Sequence, residues 1–254
     1  MTAAAARPYW RRVLVPGVLT LVGLAILISL GVWQLQRKAW KEGLIATLDA
    51  QIKAPPVPLP PASKWPSLTA ANSEFRRVTL RVETMTQAAP AYLYTGASAL
   101  RTDVKQPGYF VFAPFRLPDG TTVVINRGYI PEGSKIGAQS GADEITGYIR
   151  WPETPGLFVS AHDAKGDIWF VRDPAAMARA RGWGPVAPFY IDQEAPVPPG
   201  GLPKPGPLTV RLKNDHLGYA LTWFGLAGTL VGVFAVWGLR ERYNRTPETR
   251  PPSL

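Results

Sequence analysis

Two stretches of the chain carry no Asp, Glu, Lys, Arg or His. One covers residues 13–33 (VLVPGVLTLVGLAILISLGVW), the other residues 217–239 (LGYALTWFGLAGTLVGVFAVWGL). At the rise of an α-helix each would be roughly 31–35 Å long, enough to cross a bilayer core. Between them the pattern changes. From Phe75 the period is two: Val78, Leu80 and Val82 alternate with Arg77, Thr79, Arg81 and Glu83, the signature of a strand with one wet face. Residues 109–117 and 121–130 flank Pro118-Asp119-Gly120 and predict a β-hairpin. Further short strands are expected at 145–151, 168–171 and 188–193. Asp173-Pro174, an N-cap followed by proline at the first helical position, opens a short helix to about Arg181.

The first apolar helix is expected to continue past Trp33, because Trp40, Leu44, Leu48 and Ile52 recur at helical spacing until Pro55-Pro56 stops it. Two proline-rich segments, PPVPLPPASKWP at 55–66 and PVPPGGLPKPGP at 196–207, read as stiff extended linkers. The fold class that follows is membrane α+β: two transmembrane helices flanking one β-rich extracytoplasmic domain with a short helix. Its expected parts are a tail at 1–12, a span at 13–33, an amphipathic extension at 34–54, a Pro-rich linker at 55–66, the β-rich domain at 67–195, a Pro/Gly linker at 196–213, a span at 214–239 and a tail at 240–254.

Charge orients this arrangement. The second span is followed by Arg240, Arg242, Arg245 and Arg250 and preceded only by Arg211 and Lys213, which places both tails in the cytoplasm. The middle domain then lies in the periplasm of a cell inner membrane. WQLQRKAWKE after the first span offers no small-residue cleavage site, so that span reads as a retained anchor. The formal charge is +10, from 28 Lys+Arg against 18 Asp+Glu, but the basic residues are dispersed and partly flank the spans. Membrane lipid therefore accounts for them and nucleic acid does not. With no Cys, three Met and two His, the chain cannot build thiolate metal sites, and copper carriage is excluded.

Catalytic constellations are nearly absent. Ser160-Ala161-His162-Asp163 puts three candidate groups on adjacent loop residues, which does not give triad geometry, and no glycine-rich nucleotide loop stands between a strand and a helix. An enzyme is not expected. The distinctive residues lie where the spans meet water. The first span leaves at Gly31-Val32-Trp33-Gln34-Leu35-Gln36-Arg37, and the second begins at Asn214-Asp215-His216, so Trp33 and His216 should sit at matching depth. At 100° per residue, His216, Tyr219, Ala220, Trp223, Ala227 and Phe234 share one helix face, while Gly225, Gly228 and Gly232 share the opposite one. The glycine face is expected to pack against the first span, leaving the His and aromatic face for another occupant. That face reads either as an interfacial aromatic belt or as the wall of a planar apolar ligand such as haem. In the second case His216 is the axial ligand, Tyr219 and Trp223 are walls, and Arg37, or Arg211 and Lys213, meet the propionates.

At these residues the chain resembles the Surfeit locus protein 1 family. The resemblance rests on Gly31-x-Trp33-Gln34-Leu35-x-Arg37-x-x-Trp40-Lys41, on Val124-Ile125-Asn126-Arg127-Gly128-Tyr129-Ile130-Pro131, and on Asn214-x-His216-Leu217-x-Tyr219-Ala220-x-Thr222-Trp223-Phe224. Tyr129 stands where the family usually carries Trp. The resemblance implies a non-enzymatic factor for assembly of cytochrome c oxidase, acting on subunit I with haem a as transient cofactor and haem a synthase as a further partner. It carries the haem-contact role onto His216, with Trp33, Arg37, Tyr219 and Trp223 around it. The alternative is a structural accessory partner that docks on oxidase subunits and binds no cofactor. Asn126-Arg127-Gly128 reads as a strand end with a tight turn, Gly128 in an unusual dihedral and Arg127 paired internally.

Overall fold

The computed structural model describes residues 9–98, 100–134, 144–154, 161–209 and 213–243. The chain forms two compact units, Met1–Leu44 with Lys213–Leu254, and Ile45–Leu212. The first unit is helical. Helix α1 (Tyr9–Lys53) begins in it and runs on without a break, as the apolar spacing of Trp40, Leu44, Leu48 and Ile52 requires. Helix α4 (His216–Tyr243) completes it. Both are long and apolar enough to cross a membrane.

The second unit is a mixed sheet. Its strands are β1 (Val57–Pro58), β2 (Arg77–Arg81), β3 (Glu83–Thr84), β4 (Ala91–Thr95), β5 (Gly108–Arg116), β6 (Thr122–Pro131), β7 (Glu144–Arg150), β8 (His162–Asp163), β9 (Ile168–Trp169) and β10 (Tyr190–Ala195). They lie in the order β1-β2-β7-β10-β6-β5-β4-β9-β8, with β3 paired to β5. The hairpin stands where Pro118-Asp119-Gly120 places it: β5 and β6 are antiparallel, Leu117 N–H donates to the Thr121 carbonyl over 2.8 Å, and Gly120 takes φ +83°. A residue with a Cβ is strained there. Strand β10 runs parallel to β6 and antiparallel to β7, so it joins distant parts of the chain at the middle of the sheet.

Both faces of β6 are buried, because successive side chains enter opposite cores, and a register shift against β5 between Asn126 and Tyr129 carries Tyr129 to the Val124 side. Val123 and Ile125 join Trp65, Phe115, Ile149 and Phe189 on one face; Val124 and Tyr129 join Phe110, Trp169, Met177 and Tyr190 on the other. The second core is closed by helix α3 (Pro174–Arg181). Its Asp173 cap accepts from Ala176 N–H at 2.9 Å, and Gly182 ends it at φ +68°. A one-turn helix α2 (Ala70–Ser73) and a 3₁₀ segment at Ala62–Ser67 precede β2.

The proline-rich segments are not free linkers. In the first, β1 pairs with β2, Leu59 N–H bonds the Thr79 carbonyl at 2.9 Å, and Trp65 is a core residue. In the second, Lys204 and Tyr129 exchange backbone hydrogen bonds at 2.8 and 3.0 Å, and Leu208 is buried. Proline removes donors but keeps its carbonyl and a fixed extended backbone, which suits a sheet edge. Nor does β6 turn at Asn126-Arg127-Gly128: it runs on to Pro131. Gly128 does take an unusual φ of +121°, because the 204–205 backbone crosses over it, and a Cβ there would lie 2.3 Å from the Lys204 carbonyl. Asn126 Nδ2 donates to Asp192 at 2.6 Å, and Arg127 Nε donates to the Gln193 amide oxygen at 3.1 Å. The internal pairing expected for Arg127 is thus to a neutral group.

Candidate functional site

Within the helical unit one polar contact joins the two helices at the residues the sequence singles out. His216, the first residue of α4, places its Nδ1 2.7 Å from Oε1 of Gln34 on α1. A carbonyl oxygen only accepts, so in this arrangement Nδ1 carries a proton, and in the neutral ring Nε2 is then the nitrogen with the lone pair. His216 makes no further hydrogen bond among the described residues. A neutral imidazole held by its Nδ1–H and open at Nε2 is the arrangement that metal-ligating histidines use.

The contact sits at the top of a packed stripe, and the stripe corrects the expected packing. Ala220 and Ala227 are buried, and the small residues that receive large side chains are on α1. A Cβ at Gly31 would come within 2.5 Å of the Phe224 ring; at Gly23 it would meet Leu230 at 3.2 Å, and at Gly17 Phe234 at 3.6 Å. By contrast Gly225, Gly228 and Gly232 face open space. The His216, Ala220, Ala227 and Phe234 face is therefore the one that packs, and the glycine face is the open one. Two glycine faces compete for the interface, and α1 wins because Phe224 and Phe234 project into its gaps, while among the described residues nothing on α1 comes within 4 Å of a Cβ placed on α4's glycines.

The remaining site residues divide around this stripe. Trp223 is half-buried at its edge, and Tyr219, 59% exposed, stands outside it. Trp33 neighbours Gln34, so the depth match with His216 holds, but its ring is 52% exposed and lies on another face of α1. Arg37 and Trp40 share that face, with the guanidinium 3.9 Å from the Trp40 ring centroid. Lys213 pairs with Asp215 at 2.6 Å, and Lys41 Nζ donates to the Lys213 carbonyl. Arg211 and Ser160 lie outside the described residues. His162 stacks on Trp169 with centroids 4.1 Å apart, a packing role.

Sequence reasoning passed over Gln34 as a site residue. The available signal was an uncharged amide at the water end of an apolar helix, facing the histidine's expected depth.

Two apolar helices packed through one stripe, a sheet domain of 45–212 between them in sequence, and a histidine oriented at the start of the second helix define a class: a helix-anchored sheet protein with one candidate ligand position. The profile of the SURF1 family matches residues 21–228, and the chain belongs to that family. It is similar to Surfeit locus protein 1 of Homo sapiens, 32% identical over 222 residues that cover 78% of this chain and 69% of the human protein. Surfeit locus protein 1 of Rattus norvegicus is 30% identical, over 88% of this chain and 74% of its own length. The SURF1-like protein of Drosophila melanogaster is 32% identical, over 80% and 71%.

Proposed function

We propose that the chain is a non-enzymatic assembly factor for a haem–copper cytochrome c oxidase, resident in the cell inner membrane and assisting haem a delivery or insertion into subunit I. Its tails lie in the cytoplasm and its sheet domain in the periplasm. Membership of the SURF1 family and the three motifs support the oxidase role. The observation that carries the haem step is the 2.7 Å contact between His216 and Gln34, which leaves Nε2 open. Haem iron takes a neutral imidazole nitrogen as axial ligand. In this reading His216 supplies the nitrogen, Gln34 fixes the ring, and Trp223 and Tyr219 form apolar walls. Arg37 and Trp33, on the neighbouring face of α1, offer a cation and a ring at the same depth. Absence of Cys directs the assembly task toward haem rather than copper. Lipid surrounds both helices, and haem a synthase is the partner from which the cofactor would be received.

The test is oxidase activity and haem a content in membranes lacking the chain. Both should fall and return with the unsubstituted chain; full activity without it contradicts the assembly role.

A second reading, a structural partner that docks on oxidase subunits without cofactor, is favoured by the open face of Gly225, Gly228 and Gly232, which would admit another helix closely. A stable complex with mature oxidase that forms equally with His216→Ala would support it.

A further inference from the structure

Trp33, Arg37, Trp40 and Leu44 follow one another along α1 at the spacing of a single helix face. Trp33 is 52% exposed, Trp40 54% and Leu44 40%, and Arg37 is exposed as well. Gln34 and Lys41, which meet α4 through His216 and the Lys213 carbonyl, stand on the next face. The exposed face begins where the charge-free run of residues 13–33 ends. Because α1 is unbroken there, Arg37 lies about 6 Å further along the axis than Trp33. The headgroup layer beyond a hydrocarbon core is about 5–8 Å deep, so the guanidinium falls inside it.

Arg37 is held in place, yet its donors are open. Its guanidinium lies 3.9 Å from the Trp40 ring centroid, and among the described residues it donates to no acceptor. The neighbouring cations are engaged: Lys38 pairs with Glu42 at 2.7 Å, and Lys41 donates to the Lys213 carbonyl. A guanidinium laid over an indole keeps its in-plane N–H fork, which matches two oxygens of a phosphate. One turn toward the apolar run, the Trp33 ring stands at the depth of acyl ester carbonyls, where interfacial tryptophans settle. Between residues 34 and 44, Arg37, Lys38 and Lys41 stand against one carboxylate, Glu42, which leaves a net charge of +2. That surplus favours a headgroup of net negative charge over a zwitterionic one.

We infer that Arg37, Trp40 and Trp33 form a selective site for one anionic glycerophospholipid. Arg37 receives the phosphate, Trp40 holds the guanidinium, and Trp33 packs on the glycerol ester region. The occupant is a lipid rather than free phosphate, because the cation stands between two exposed indoles beside a charge-free helix that acyl chains would cover. The inference rests on the proposal that α1 crosses the membrane, and it requires no haem.

Native mass spectrometry of the full chain in detergent, titrated with dioleoyl phosphatidylglycerol and with dioleoyl phosphatidylcholine, tests this. Phosphatidylglycerol should bind at least about fivefold more tightly, the effect of one basic residue at a charged membrane surface. Arg37→Gln should remove that preference, and Trp40→Leu should weaken phosphatidylglycerol about two- to fivefold. Both side chains are exposed, so the variants should unfold as the unsubstituted chain does. Glycerol phosphate, which carries the headgroup charge without acyl chains, should not displace the lipid at equal concentration. His216→Ala should keep the full preference, which separates this site from the haem reading. Equal binding of the two lipids, an undiminished preference in Arg37→Gln, or displacement by glycerol phosphate would each overturn the inference and leave the membrane reading standing. Recovery of the chain from the soluble fraction of cells would overturn both.

Discussion

His216 and Gln34, 182 positions apart in the chain, share a 2.7 Å hydrogen bond in which the imidazole donates from Nδ1. In the neutral ring this bond leaves the lone pair on Nε2 and sets its direction. An amide at position 34 suits a neutral ring. A carboxylate would draw the ring toward the imidazolium form, which has no lone pair to offer.

Under the proposed haem reading Gln34 is a positioning residue, and its replacement should act through His216. Gln34→Leu removes the acceptor but keeps the bulk and the apolar packing. Haem retained by the purified chain should fall about 10–100-fold in affinity, the usual effect of losing a ligand's orienting partner. Gln34→Asn, shorter by one methylene, should recover part of it. Retention by Gln34→Leu equal to that of the unsubstituted chain would show that the hydrogen bond has no such role.

The packing between the helices makes a paired prediction. Gly31→Ala would put a methyl group 2.5 Å from the Phe224 ring, and should destabilise the helical unit by about 1–3 kcal/mol. Gly228→Ala meets nothing within 4 Å and should be neutral or stabilising by up to ~1 kcal/mol. Thermal unfolding in detergent reads both. The reverse order would mean that the glycine face of α4, and not that of α1, forms the interface.

Alkaline pH should unfold the sheet domain through its buried phenols. Burial, with the Glu194 charge behind it, raises Tyr148 from 10 to about 12, and Tyr190 is raised further. A raised acid binds its proton more tightly in the folded state. Stability is thus fully present below pH 10 and is lost as pH rises through the folded values. Tyr148 alone accounts for about 3 kcal/mol across that window. Urea midpoints should fall steeply above pH 10, and Tyr148→Phe should flatten the slope by one proton. An equal slope in Tyr148→Phe would contradict this assignment.

What could be read in the sequence follows from how local each cause is. The two apolar runs, the Pro118-Asp119-Gly120 hairpin and the Asp173 cap depend on neighbours within a few residues, and each stands where the pattern places it. Strand β4, only five residues between Pro90 and Gly96, has too short an alternation to register. The proline-rich segments differ from expectation because a proline count speaks of stiffness, not of where carbonyls find donors. Helical phase grouped His216 with Ala220, Ala227 and Phe234 correctly, yet phase cannot say which of two faces packs. That was decided by Gly17, Gly23 and Gly31 on the other helix. Arg150, Asp192 and Glu74 meet only through the long-range pairing of β7, β10 and the segment before β2, and no spacing in the chain foretells it.

The proposed haem contact of His216 is most directly tested by the haem content of the purified chain. The chain and its His216→Ala variant should be isolated from cells that make haem a, and the reduced α-band compared at equal protein. The account predicts a haem a band in the unsubstituted chain and its loss in His216→Ala, with the helical unit still folded. Equal haem a in both, or none in either, would contradict it.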